Sequence, residues 1–278
     1  MPEYSAPPCP EELCEPGADE EAVPVTAHPW EALLLVVCTA VGLSAIALLA
    51  GAVWSLTGSP VWTAAAVSAV PAVCWAVRGL RHARHRAESV RVSPTQFPDA
   101  HRIVTTLSAA MGLPRPPEAY VLTAPGRGGA AAHGLRRYLV LPGSLFEGGA
   151  RVGDPDALTF RVAHQLGHLV AGHTGFWRRV ATLGAELVPG LGAALARAAE
   201  YTADNHAYAY FPEGAHTVRI HAGGPHLYPR VNMGEMADRV RTDRGLSLLL
   251  YHLVSRRPSN IRRMAALRDR GRRGRIFL

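Results

Sequence analysis

From Ala32 to Leu56 the chain reads "ALLLVVCTAVGLSAIALLAGAVWSL", 25 residues without a charged side chain. As a helix rising about 1.5 Å per residue this run is about 37 Å long, enough to cross the ~30 Å hydrocarbon layer of a bilayer. After the short turn "TGSP", a second uncharged run extends from Val61 to Val77, 17 residues, at the short end of spanning length. Inside lipid the backbone must satisfy its own polar groups, so both runs are expected as helices, a transmembrane hairpin over 30–80. Trp54, Trp62 and Trp75 fall near the ends of the runs, where interfacial anchors belong. A signal peptide would carry positive charge before a shorter apolar core, whereas this run follows an acidic, Arg-free tail. Directly after the second run, "RGLRHARHRAESVR" brings Arg78, Arg81, Arg84 and Arg86, and positive residues stay on the cytoplasmic side. Both termini and everything after the hairpin are therefore expected in the cytoplasm, with only the turn near Gly58 outside.

The rest of the 278 residues suffices for one soluble domain with a core of its own. The charge is uneven. Residues 1–29 are acidic ("EELCEPGADEE") and read as a disordered tail, whereas the chain ends in "RRPSNIRRMAALRDRGRRGRIFL", with 271–278 a basic tail. Such a basic end suits acidic lipid headgroups. It carries no nucleic-acid-binding motif or interleaved aromatics, so membrane lipid and not nucleic acid is the expected partner. Every basic residue is arginine, since the chain has no lysine, which suits a GC-rich genome and hence a bacterial plasma membrane. Cys9 and Cys14 lie in the acidic tail and Cys38 and Cys74 in the apolar runs, which is no disulfide framework.

Residues 90–270 carry the patterns of an α+β domain, mainly helical with a small sheet. "SPTQFPDAHRIVTTLSAAMGL" predicts a helix capped by Ser93 and ending at Gly112. "EAYVLTA" and "RRYLVLPGSL" read as strands joined by the Gly/Ala-rich "PGRGGAAAHGL". A helix capped by Asp154, with Pro155 in its first turn, runs through "AHQLGHLVAGH". "ATLGAELVPGLGAALA" is apolar but broken by Glu186, Pro189 and glycines, so it reads as a packed or membrane-adjacent helical connection and not a third span. "LARAAEYTADNHAYAY" is a helix, "FPEGAHTVRIHAGGPHLYPRVN" has loop composition, and "MADRVRTDRGLSLLLYHLVSRR" resumes helical spacing.

In "AHQLGHLVAGH" His164 and His168 stand four apart, on one helical face, where two imidazoles can share a metal. With 13 histidines in 278 residues, about 0.6 such pairs arise by chance, so the pair alone proves little. Glu200 in "EYTAD" adds a carboxylate, and two His plus one Glu is a zinc set that leaves a fourth position open. Asp204, one turn on, could fix the tautomer of a ligand histidine. His173 is not expected as a ligand. The pattern HExxHxxGxxH requires Gly at 171 and His at 174, where this chain has Ala171 and Thr174.

Taken in order, "LSAAMGLPRPPEAYVL", "GAAAHGLRRYLVLPGSLFE", "HQLGHLVAGH", "EYTAD" and "SRRPSNIRR" give residues 95–270 a resemblance to the M48 zinc metallopeptidases, which include HtpX-like and CAAX-processing membrane proteases. The resemblance implies a zincin-like (gluzincin) domain and one Zn2+ held by His164, His168 and Glu200, with Asp204 behind them. It also implies an edge strand at Ala130, Ala131, Ala132, His133 and Gly134 on which an extended polypeptide substrate or client lies. Two positions depart from the family. Gln165 stands where the general-base glutamate of HExxH belongs, and Arg257 stands where the last motif usually has a histidine, while Arg263 matches the family's arginine.

A neutral amide can neither take a proton from the attacking water nor pass one to the leaving amine, and loss of a general base costs on the order of 10²–10⁴ in rate. Arg257 and Arg263 remain as oxyanion or substrate contacts. Three readings follow from the sequence. The first is a membrane-anchored, zinc-holding peptidase homologue, a pseudoenzyme that binds extended polypeptide. The second is an active endopeptidase in membrane protein quality control with a substitute base, for which Glu213 or Glu235 would be carboxylates. The third is a metal-free membrane-tethered scaffold.

Overall fold

The computed structural model describes residues 25–122, 130–133, 136–146, 153–269 and 274–277. The acidic tail before Val25, with Cys9 and Cys14, lies outside them, as do Gly134 and residues 271–273 and 278 of the basic end.

Two long helices open the described chain, α1 (Glu31–Thr57) and α2 (Pro60–Glu88), joined at Gly58, whose φ of 58° the tight turn requires. Both are long and apolar enough to cross a membrane. Their apolar side chains face outward: Leu48 is 75% exposed and Trp54, Trp62 and Trp75 are exposed as well. α2 continues past residue 80, the expected end of the hairpin, because its last turns have somewhere to pack. His82 is buried and its ring lies 4.7 Å from that of Tyr138 in the sheet.

The sheet has strands β1 (Val90–Arg91), β2 (Glu118–Leu122), β3 (Ala130–His133) and β4 (Arg136–Pro142) in the order β1-β2-β4-β3. β2 and β4 are parallel and the other pairs antiparallel. Alternation along β2 and β4 sends Ala119, Val121, Leu139 and Leu141 into the main core, and Tyr120, Tyr138 and Val140 to the opposite face beside α2. Among the described residues β3 pairs with β4 alone and stands last in the sheet, so residues 130–133 are its edge there.

The core face is covered by α3 (Pro98–Ala110) and α4 (Pro155–Val170), and α6 (Leu191–Tyr210) crosses α4. Between α4 and α6 lie α5 (Phe176–Ala181) and a 3-10 turn at Leu183–Leu187, and after α6 come a 3-10 segment at Pro212–Arg219, α7 (Ile220–Leu227), α8 (Met233–Thr242), α9 (Leu246–Val254) and α10 (Asn260–Arg268). The molecule is thus mostly helical with one small sheet.

Three sequence expectations are corrected. The helix assigned to Ser93 starts at Pro98, because Ser93 and Gln96 exchange two backbone hydrogen bonds and Phe97 turns the chain with φ 59°. The stretch 211–232, expected as loop, is largely helical: Phe211, Ala215 and Val218 are buried in the main core, and packing overrides its glycine content. The helical run expected from Met236 is two helices, the first beginning already at Met233, parted at Gly245, whose φ of 151° no helix holds.

The membrane-type helix α1 is part of the same body. Leu34 and Cys38 share a core cluster with Ala194, Leu195, Ala198 and Tyr201 of α6. Glycines set the contact. A methyl group at Gly42 would stand 1.8 Å from the Ala181 carbonyl oxygen, and one at Gly184 would stand 2.8 Å from the Ala45 methyl.

Candidate metal centre

Each ligand-bearing helix begins on a local signal. The Asp154 carboxylate accepts from the amides of Asp156 (2.9 Å) and Ala157 (3.1 Å), and Pro155 fills the first turn, so α4 starts where its cap dictates. α6 starts after Gly190, at φ 80°. The two helices cross closely at Gly167, where a methyl group would meet the His206 Cβ at 2.7 Å. That approach brings the Glu200 carboxylate to the imidazole face of α4.

His164, His168 and Glu200 offer three ligand atoms that all lie within 4.8 Å of one another. His164 Nε2 is 3.6 Å and His168 Nε2 is 3.8 Å from the Glu200 carboxylate. Ligands at about 2.0–2.1 Å around a tetrahedral ion stand about 3.4 Å apart, so this group could hold a metal ion with little adjustment. Burial drives both imidazoles toward the neutral form that metals bind, and lowers His168 well below the usual histidine pKa.

Both histidines have the second ring nitrogen engaged. His164 Nδ1–H donates to Asp204 Oδ1 at 2.7 Å, which leaves Nε2 as a lone pair toward Glu200. Burial works to raise the Asp204 carboxyl, but Arg263 and His164 outweigh it and hold it well below the usual carboxylate range. Arg263 donates to both Asp204 oxygens, at 2.9 and 2.5 Å, and is itself buried. The expected oxyanion or substrate contact for Arg263 therefore becomes an internal one, since two of its donors hold Asp204. Arg257 does line the cleft, with its Nε 3.7 Å from Glu200 Oε1, one of the candidate ligand groups.

For His168 the orienting partner is one that the sequence reading set aside. Gly172, at φ 70°, turns the chain back so that His173 meets His168, with the two Nδ1 atoms 2.8 Å apart. His173 Nε2 in turn lies 2.8 Å from Glu31 Oε1, which also accepts from Arg178 at 3.0 Å. A single proton ordering fits this chain: His173 Nε2–H donates to Glu31, His173 Nδ1 accepts from His168 Nδ1–H, and His168 Nε2 is free for metal. Glu31 is the first residue of α1, so the hairpin supplies part of the site. The hint in the sequence was an acid at the edge of an apolar run, where it has no business unless paired. Replacing His173 by Phe leaves His168 Nδ1–H without its acceptor. The expected result is a loss of about 10–100-fold in zinc affinity by chelator competition, with unchanged far-UV circular dichroism.

Gln165 is fully buried. Its amide Nε2–H donates to the Val140 carbonyl at 3.1 Å, and its Oε1 has no hydrogen-bond partner among the described residues. The opposite assignment would set two oxygens against each other at that carbonyl, so the amide orientation is determined. Gln165 and the three ligand residues line a cleft of about 330 Å³. Two residues that the sequence reading passed over line it as well, Arg161 and His221. Burial, and then Arg263 and Arg161, keep His221 well below the ordinary histidine pKa and hence neutral. Glu213 and Glu235, the carboxylates considered as substitute bases, are not in the cleft: Glu213 opens the 3-10 segment and Glu235 sits in the first turn of α8.

Two histidines and a glutamate on crossed helices, each histidine oriented from behind, define a centre able to hold a metal ion. Comparisons with family models, curated proteins and solved structures found no match to the chain.

Proposed function

We propose that this protein is a membrane-anchored homologue of the M48 zinc metallopeptidases that holds one Zn2+ and binds extended polypeptide at the cytoplasmic face of a bacterial plasma membrane, without efficient proteolysis. The observation that carries the reading is Gln165, whose buried side-chain oxygen has no partner among the described residues and which lines the same cleft as the convergent His164, His168 and Glu200 atoms. The donor set fits zinc, which takes imidazole nitrogen and carboxylate oxygen and leaves a fourth position in open sites. When bound, zinc would supply a Lewis acid that polarises a carbonyl and acidifies a coordinated water. Gln165 can accept a hydrogen bond in the cleft but cannot carry a proton away, so recognition is retained while proton transfer is not. The strand β3, last in the sheet among the described residues, is where an extended chain would add as a further strand.

The test is metal content and cleavage together. One zinc per chain is expected after purification, falling to background in His164→Ala, with no cleavage of an unstructured polypeptide by the native protein. A zinc-free native protein overturns the reading in favour of the metal-free scaffold.

One observation favours a second reading, an active endopeptidase. His221 is a neutral imidazole in the cleft and could take the proton that Gln165 cannot. Cleavage by the native chain that is lost in both His164→Ala and His221→Gln would establish it.

A further inference from the structure

α9 has the sequence "LSLLLYHLV" and packs on the body by one side only. Its inner side rests on the start of α6: Leu253 fits against Gly190, and Arg197 donates to the carbonyls of Leu253 (3.1 Å) and Ser255 (2.5 Å). The rest is bare. Leu246 is 72% exposed and Val254 62%, and Leu249, Leu250 and Tyr251 are exposed with them. Water does not favour an apolar helix face of this extent, and such a face marks a contact with protein or lipid.

Its position decides between these. Cys38 on α1 and Arg78 on α2 each stand about 20 residues from the Gly58 turn, roughly 30 Å of helix, which is the thickness of a hydrocarbon layer. The level of Cys38 and Arg78 is thus the cytoplasmic edge of that layer. Cys38 Sγ lies 3.9 Å from the Leu191 carbonyl, and Gly190, next in the chain, is the residue against which Leu253 packs. The C-terminal half of α9 therefore stands at that edge. Beside it the 3-10 turn Leu183–Leu187 goes deeper, since Gly184 touches Gly42 and Ala45 on α1, about 6–10 Å further in. Leu187 of that turn and Val188 after it are exposed, and its Glu186 pairs with Arg256, two residues past α9. Arginines ring this apolar face: Arg241 and Arg244 before α9, Arg256 after it, and Arg179, which with Arg256 neutralises Glu186 at 2.9 and 2.5 Å.

From this placement we infer that α9 and residues 183–188 form a second membrane contact, an interfacial face lying among the headgroups and upper acyl chains of an anionic leaflet beside the hairpin. The inference rests on the reading of the hairpin as membrane-spanning. Depths of about 5–10 Å are those at which interfacial helices lie, with arginines reaching back to phosphate. Glu186, Arg179 and Arg256 also line the metal cleft, so the same contact would bring that side of the cleft to the bilayer.

The full chain, with its four cysteines replaced, is reconstituted in phosphatidylethanolamine/phosphatidylglycerol vesicles and carries a nitroxide at Leu250→Cys, Leu48→Cys or Asp238→Cys. At Leu250, as at Leu48, collisions with apolar oxygen are expected to exceed those with a water-soluble nickel chelate, and at Asp238 the order is reversed. Nickel preference at Leu250 with oxygen preference at Leu48 overturns the inference but keeps the spanning hairpin, whereas nickel preference at Leu48 overturns both. Exclusion of both reagents at Leu250 with spin–spin broadening shows a second copy on the face and also overturns it. The native chain gives an independent check: a photoactivatable phosphatidylglycerol should label peptides from 246–254, and labelling confined to α1 and α2 would sink the proposal.

Discussion

Gln165→Glu is expected to turn the native protein into a zinc-dependent endopeptidase. The native residue fits its surroundings as an amide, with Nε2–H on the Val140 carbonyl and the oxygen left without a partner among the described residues. A carboxylate of the same size keeps that oxygen and replaces the donor by an acceptor facing a carbonyl. Burial and this acceptor-to-acceptor contact both favour the protonated acid, so the introduced carboxyl would titrate above the ordinary carboxylate range, nearer the neutral value that suits a proton shuttle. Cleavage of an unstructured polypeptide should rise by about 10²-fold or more over the native chain, the usual contribution of a general base. It should increase with pH through the raised pKa, since the deprotonated form takes the proton, and should vanish in Gln165→Glu/His164→Ala. If Gln165→Glu binds zinc and remains inert, the cleft lacks more than a proton acceptor and the peptidase ancestry proposed here loses its main support.

Arg263→Met is expected to be the most destabilising single change at the centre, costing about 3–5 kcal/mol. Arg263 and Asp204 are both buried, and removing the guanidinium leaves a carboxylate in a nearly water-free site with His164 as its remaining partner. His164 would then be drawn toward imidazolium, whose Nε2 carries a proton, so zinc affinity should fall along with stability. Arg263→Met/Asp204→Asn removes both charges and should recover part of the loss, because the penalty comes from the orphaned charge and not from the absence of the pair. Denaturant midpoints of the two variants in detergent, read beside chelator competition, check this. Equal midpoints for the single and double variants would mean that Arg263 acts through packing alone.

Much of the centre was legible because its signals are local. A helix places residues four apart on one face, so His164 and His168 could be paired from the sequence, and the turn after Glu200 put Asp204 on the same side. Asp154 with Pro155 marked the start of α4 within a residue. The sheet was legible at β2 and β4, where apolar alternation is clean, while Ser93 misled because its hydroxyl closes a local turn and caps no helix. The glycine-rich stretch around His221 looked like loop for the same reason that it forms short, broken helices: it has little propensity of its own and takes its shape from the core beneath it.

By itself the sequence determined where apolar runs are long enough to cross a bilayer, which side chains could bind a metal, and that Gln165 stands where an HExxH pattern would have a glutamate. Those properties depend on composition and on helical spacing, which short segments carry alone. The tertiary structure decided what stands behind those side chains. Arg263 lies far along the chain from His164 yet holds its partner Asp204, and His173 joins His168 to Glu31 at the head of the first apolar helix. It also decided that α9, packed at Gly190, leaves most of its apolar side chains bare. Such contacts arise from the crossing of α4 and α6 and the docking of α1 at Gly42, and no spacing within one segment encodes them.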